Sequence, residues 1–227
     1  MRNIFSLLFS ALFLFFCIVT LHAFDNQTLI MINPSGDAKN VGRKLVEGYE
    51  RAQTFEFAKA LQEALQERHN VRAVLTRFPG EEIVDLQNAS FANRLGVDFY
   101  LSINFYRQEV IKPKVFMYHL VYNPMVDLAR RIFDPLEFVP LYQSHFKNIH
   151  KTVRYGKLIK DVLSVQHYRK MFDVHGLYGV PLKFLCGIVA PAIAIEIGIC
   201  QEEQWKVMID PLVASLSFLG ETKGNNS

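Results

Sequence analysis

Leu29-Ile30-Met31-Ile32, followed by Asn33-Pro34-Ser35-Gly36-Asp37-Ala38, is the stretch that most narrows the folds open to this chain. Four apolar residues in succession, closed by turn formers, fit a short strand buried on both faces, as at the centre of an α/β sheet. Pro34 cannot donate to a ladder and Gly36 permits a sharp turn, so the strand is expected to stop there. In α/β folds, ligands gather at the carboxyl ends of such strands. The Asn33–Ala38 turn is therefore the first place to look for a site.

Downstream, strand and helix patterns alternate. Apolar residues recur at three and four positions from Thr54 to Arg68 (Phe55, Ala58, Leu61, Ala64, Leu65), which predicts an amphipathic helix. Val71–Leu75 reads as a second strand ending at Thr76-Arg77-Phe78-Pro79-Gly80, and Ile83–Leu95 as a helix stopped by Gly96. Phe99–Ile103 is a third strand running into Asn104-Phe105-Tyr106, and Lys114–Tyr122 a fourth. Met125 to about Lys160 reads as mostly helical, broken at Pro135 and Pro140; His175–Pro181 reads as a loop. Ala192–Ile197 is a final buried strand carrying one acid, Glu196, and Gln201–Leu219 a closing helix with Trp205, Met208, Ile209, Leu212 and Leu216 on one face. The expectation is one α/β domain over residues 24–220, a twisted mixed sheet of about five to six strands with helices on both faces, and a polar, disordered tail over 221–227.

Met1-Arg2-Asn3 and the apolar run Ile4–Leu21 have the build of a secretory signal ending near Ala23, or of an uncleaved anchor, since about 18 apolar residues also approach the length of a bilayer span. Either reading places the folded part outside the cytoplasm, in a periplasmic or extracellular envelope compartment. The net charge of +3 is mild and contains no Lys/Arg run of the kind that binds nucleic acid, though it suits an anionic polymer or membrane weakly. Beyond the leader only Cys186 and Cys200 remain; they flank an extended apolar run, too far apart to bridge, and read as buried free thiols. His145 and His150, five residues apart, share a helix face poorly, and His69 and His119 read as surface or packing residues.

The order of these motifs resembles the zinc-dependent N-acetylmuramoyl-L-alanine amidases of the amidase-3 type, which cut the bond between sugar and stem peptide in peptidoglycan. Asn33–Ala38 sits where that family has Asp-Pro-Gly-His-Gly-Gly, and Glu50 stands ahead of the first helix. Leu75-Thr76-Arg77, Ala92-Asn93, Asp98–Asn104 and Pro191–Ile199 follow in the family's order. The resemblance implies a zinc site made by a His of the first loop, a Glu at the first helix and a His after the third strand, with a second Glu on the last strand as base. Carried over by position, the histidines are Gly36 and Asn104, the ligand Glu is Glu50 and the base is Glu196; arginines usual in the second helix and before the last strand are Ala89 and Cys186.

Glycine offers no donor, and an asparagine amide is a weak ligand for a borderline-soft ion. Without metal, nothing lowers the pKa of a water for Glu196 to use. The reading that follows is an envelope domain without zinc, a pseudoenzyme that binds peptidoglycan, its fragments or an envelope protein partner. Arg77, Tyr106, Arg107 and Tyr118 are the candidate groove residues. Two alternatives stay open: a hydrolase whose zinc site is rebuilt with Asp37 or His175, and a structural scaffold.

Overall fold

A computed structural model of the chain describes residues 27–68, 70–121 and 141–224. The expected leader (1–23), His69, Pro135 and Pro140 lie outside the described residues. Six strands, β1 (Thr28–Pro34), β2 (Val71–Leu75), β3 (Phe99–Arg107), β4 (Lys114–Leu120), β5 (Asp173–Val180) and β6 (Ala192–Ile199), form one sheet in the order β2-β1-β3-β6-β4-β5. The β2-β1-β3-β6 part is parallel, β4 runs antiparallel to β6, and β5 is parallel to β4. The sheet is thus mixed, and its centre is the near-continuous apolar β1, β3 and β6, as strands buried on both faces require.

Helices α1 (Glu50–Gln66), α3 (Ile149–Leu163) and α4 (Ile209–Gly224) cover one face, where Phe57, Leu61, Ile159, Leu163, Leu212 and Leu216 pack on Ile30, Leu101 and Ile195. Helix α2 (Asp85–Leu95) and a short turn, Lys183–Leu185, cover the other through Ala89, Ala92 and Leu185 against Met31, Tyr100 and Ala194. Phe57 meets Phe105 and Trp205 edge-on, with ring centroids 5.5 and 5.6 Å apart. The buried Trp205 indole donates to Gln53 Oε1 at 2.8 Å, so α1, β3 and the turn before α4 are locked around one aromatic cluster.

Several boundaries differ from the sequence reading. Helix α1 starts at Glu50, four residues before its apolar periodicity, because the loop ahead of it folds back: Arg43 and Val41 carbonyls accept from the Glu50 and Arg51 N–H groups, two of the donors a helix start leaves open. β1 continues through Pro34, whose missing N–H falls at the strand's end, while Ser35 N–H carries on the pairing to Ile103. The His175–Pro181 segment is not a loop: Asp173–Val180 is an edge strand, and Gly176 and Gly179 lie in its ladder with β4. The closing helix begins as a 3-10 turn, Glu202–Met208, and α4 continues to Gly224, so the expected tail is helical over its first residues. Cys186 and Cys200 are free but only half-buried. Four of the basic residues, Lys151, Arg154, Lys157 and Lys160, fall on α3, where positions three and four apart share a helix face.

Candidate functional site

The carboxyl ends of β1, β3 and β6 meet the Gly36–Tyr49 loop, and at their junction lies an ion cluster built on Arg43. Glu50, 3 % exposed at the start of α1, receives Arg43 Nε on Oε2 and Nη2 on Oε1, both at 3.1 Å. Glu196 Oε1 receives Arg43 Nη1 at 2.6 Å. The guanidinium therefore grips one carboxylate with two N–H groups and a second with another, a fork geometry that lysine could not reproduce. Burial alone would lower the Arg43 pKa, but its bonds to Glu50 and Glu196 outweigh this and hold it above the ordinary arginine value.

Each carboxylate has further donors. The Phe105 backbone N–H donates to Glu50 Oε1 at 2.8 Å, and the Arg43 backbone N–H to Glu50 Oε2 at 3.0 Å. Tyr118 Oη donates to Glu196 Oε2 at 3.1 Å, and burial together with the Glu196 charge pushes that phenol up to about 12. The Arg43 guanidinium also lies 5.9 Å from the Tyr106 ring centroid. Gly42, at φ +75°, is what lets the loop approach so closely: a Cβ there would lie 2.8 Å from Glu50 Cβ.

The geometry brings the sequence-derived ligand positions to one region but leaves no set of free donors there. Gly36 sits at φ +79°, and a Cβ on it would come within 2.8 Å of Arg51 Cβ, so the turn leaves no room for a side chain there. Asn104 is the register partner of Glu196, and its amide donates to Ser102 Oγ at 3.4 Å. Asp37 is spent on the backbone: its carboxylate accepts from Lys39, Asn40 and Ile83 N–H groups at 2.5–2.9 Å. Burial would raise its pKa, yet those bonds and the Arg77 charge bring it below the ordinary aspartate value. His175 stacks on Phe116, centroids 4.6 Å apart, in the edge strand. Among the described residues, no group of three or more His, Cys, Asp or Glu side chains is placed to hold a metal ion. Zinc does not fit this donor set: both acids are already paired, and the positions that the resemblance would give to imidazoles are a glycine without space and an amide.

The candidate groove residues divide. Tyr106 and Tyr118 flank Glu196, and with Phe116, His175 and Tyr178 they form a run of rings across β3, β4 and β5, neighbouring centroids 4.6–6.4 Å apart. Arg77 is buried instead, its guanidinium donating to the carbonyls of Pro34 and Arg51. Arg107 is exposed but, two residues on from the core residue Phe105, belongs to the opposite sheet face. On the other flank of Glu196 is a cavity of about 510 Å³ that includes Gly36, Asp37, Asn104 and Phe184, with the buried Asn33 and Ser102 in its floor. Arg43 was missed by the sequence reading; the only trace of it was a cation seven residues before Glu50 in a glycine-containing loop.

Solved structures with a similar fold include several N-acetylmuramoyl-L-alanine amidases. The chain is similar to N-acetylmuramoyl-L-alanine amidase from Clostridium difficile 630 at 17 % identity, with 89 % of this chain and 99 % of that one covered and a TM-score of 0.60. Against Ami1, the N-acetylmuramyl-L-alanine amidase of Mycobacterium smegmatis, identity is 14 %, coverage 86 % and 97 %, and the TM-score 0.61. The CwlD amidase of Clostridioides difficile, solved in complex with the GerS lipoprotein, matches at 12 % identity, 87 % and 98 % coverage and a TM-score of 0.58. No family model matches the sequence, and no curated protein matches it significantly. What is shared is the fold.

Proposed function

We propose that this chain is a zinc-free, amidase-like domain of the cell envelope that binds peptidoglycan or its fragments without cutting them. The observation that carries the reading is the Arg43 guanidinium lying between Glu50 and Glu196, where the resemblance would put a metal and its base. A permanent cation there satisfies both acids and activates no water, because a guanidinium is not a Lewis acid and does not deprotonate at physiological pH.

The same surface suits a glycan. Sugars present apolar C–H faces to aromatic rings and hydroxyl and acetamido groups to amides, and the site offers both. Tyr106, Phe116, Tyr118 and Tyr178 supply rings on one flank; Asn33, Ser102 and Asn104 supply neutral donors and acceptors on the other. The Asn104 side-chain oxygen, Oδ1, accepts no hydrogen bond from the described residues. The amidases of the same fold add support for a peptidoglycan-class ligand.

The test is to incubate the purified chain with insoluble peptidoglycan, measuring co-sedimentation and stem-peptide release, and to determine metal content after dialysis with zinc supplied. Binding without release and without stoichiometric zinc is expected. Stem-peptide release, or near-stoichiometric zinc, would overturn the reading in favour of a rebuilt metal site. Neither binding nor metal would leave the fold as a scaffold.

A further inference from the structure

Between Lys147 and Lys170 the sequence carries seven Lys or Arg against one acid, Asp161, although the whole chain is only +3. Helix α3 is the centre of this excess. Its inner face (Thr152, Tyr155, Gly156, Ile159, Leu163) is buried, which leaves Lys151, Arg154 and Lys157, at spacings of three, along its outer face, with the exposed Lys147 in the 3-10 turn Leu141–Asn148 just ahead of it. None of these four has an ion-pair partner among the described residues; Lys151 and Arg154 lie 5.3 and 5.6 Å from the Tyr155 ring centroid. An unpaired stripe of like charge weakens its own helix. It becomes favourable only opposite negative charge.

The position of the stripe in the fold selects the kind of partner. Helix α3 begins at the end of the sheet where β1, β3 and β6 begin: Asn148 Nδ2 donates to the Val189 carbonyl, and Asn148 and Lys151 border the same cavity as Asp98 and Pro191. Asp98 Oδ2 in turn accepts the Leu29 N–H, at the start of β1. The start of β1, the described strand nearest in sequence to the apolar run Ile4–Leu21, therefore lies at the same end of the sheet as the basic start of α3. Only six residues separate Leu21 from Thr28, about 20 Å even when fully extended. The Arg43–Glu196 cluster lies at the opposite, carboxyl end of β6.

We infer that the outer face of α3 docks on an anionic phospholipid surface, next to the apolar N-terminal segment, with the Glu196 end of the domain turned away from the bilayer. An apolar segment and a basic patch are the two signals that together hold a protein on a membrane. Each Lys or Arg near an anionic surface strengthens the association by about fivefold at moderate ionic strength. This inference is independent of what the groove binds.

The experiment compares the full chain reconstituted in neutral phosphatidylcholine vesicles and in vesicles containing phosphatidylglycerol, so that the apolar segment contributes equally to both. Lysines are labelled with an amine-reactive reagent and quantified by peptide mass spectrometry. Lys147, Lys151 and Lys157 should label about fivefold more slowly on the anionic vesicles, with the difference removed by high salt, while the exposed Lys39 at the other end of the sheet labels equally in both. The triple variant K151E/R154E/K157E should lose protection at Lys147. Equal labelling of the helix on both vesicles overturns the proposal. So does protection that appears only when a soluble polyphosphate is added to the neutral vesicles, which would assign the stripe to an anionic polymer.

Discussion

Replacing Arg43 with methionine removes every guanidinium donor while keeping most of the apolar stem. Glu50, 3 % exposed, would retain the Phe105 and Arg43 backbone N–H groups but face no cation. Removing one partner of a fully buried ion pair costs about 3–5 kcal/mol. Arg43 is 45 % exposed, so water screens part of that interaction. Discounted for this and for the two N–H bonds that remain, the expected loss is about 2–3 kcal/mol, or about 4–12 °C in Tm for a domain of this size. Urea and thermal unfolding followed by circular dichroism would measure it. In a Glu50→Gln background the same replacement should cost less than about 1 kcal/mol, because no unpaired charge is left behind. Added zinc should stabilise Arg43→Met no more than the parent. A loss below about 0.5 kcal/mol, or strict additivity with Glu50→Gln, would refute the cluster as an energetic unit. Rescue by zinc would instead show that the arginine blocks a working metal site.

Three further outcomes follow from the same geometry. Gly36→His should not restore a ligand but destabilise by about 2–3 kcal/mol in thermal unfolding, from a positive φ and the close approach to Arg51. Asp37 has a folded pKa below its unfolded value, so it stabilises the fold fully above pH ~4 and loses that contribution as pH falls through the folded value. The stability difference between Asp37→Asn and the parent should accordingly be constant at neutral pH and close in acid titrations. In a phenolate absorbance titration, Tyr118 should ionise near the shifted value of about 12, and Glu196→Gln should lower it towards the ordinary range; an unchanged midpoint would mean that Glu196 does not act on it.

Local pattern determined much of the architecture. Residues 29–32, 71–75, 99–103 and 192–197 are short, apolar and bounded by turn formers, and such segments have few options besides buried strands. The three- and four-residue spacing of Ala58, Leu61 and Leu65 fixed a helix in the same way, whereas the buried Phe57 was not among the residues read as its apolar face. Glu50 and Glu196 were legible through the resemblance, which singled out an acid at the first helix and one on the last strand. Edge strand β5 was hidden. Its residues are mostly half-exposed and include two glycines, so its extended form depends on pairing with β4 rather than on its own pattern. Arg77 has the composition of a loop cation, and only the crossing of β1 and α1 decided that it would be buried on their carbonyls. Arg43 depended on tertiary structure most of all. It belongs to no periodic segment, and its partner Glu196 is 153 residues away. Sequence supplied the two acids; the fold of the Gly36–Tyr49 loop supplied the cation between them, because electrostatic pairing acts on distance in space and leaves no period along the chain.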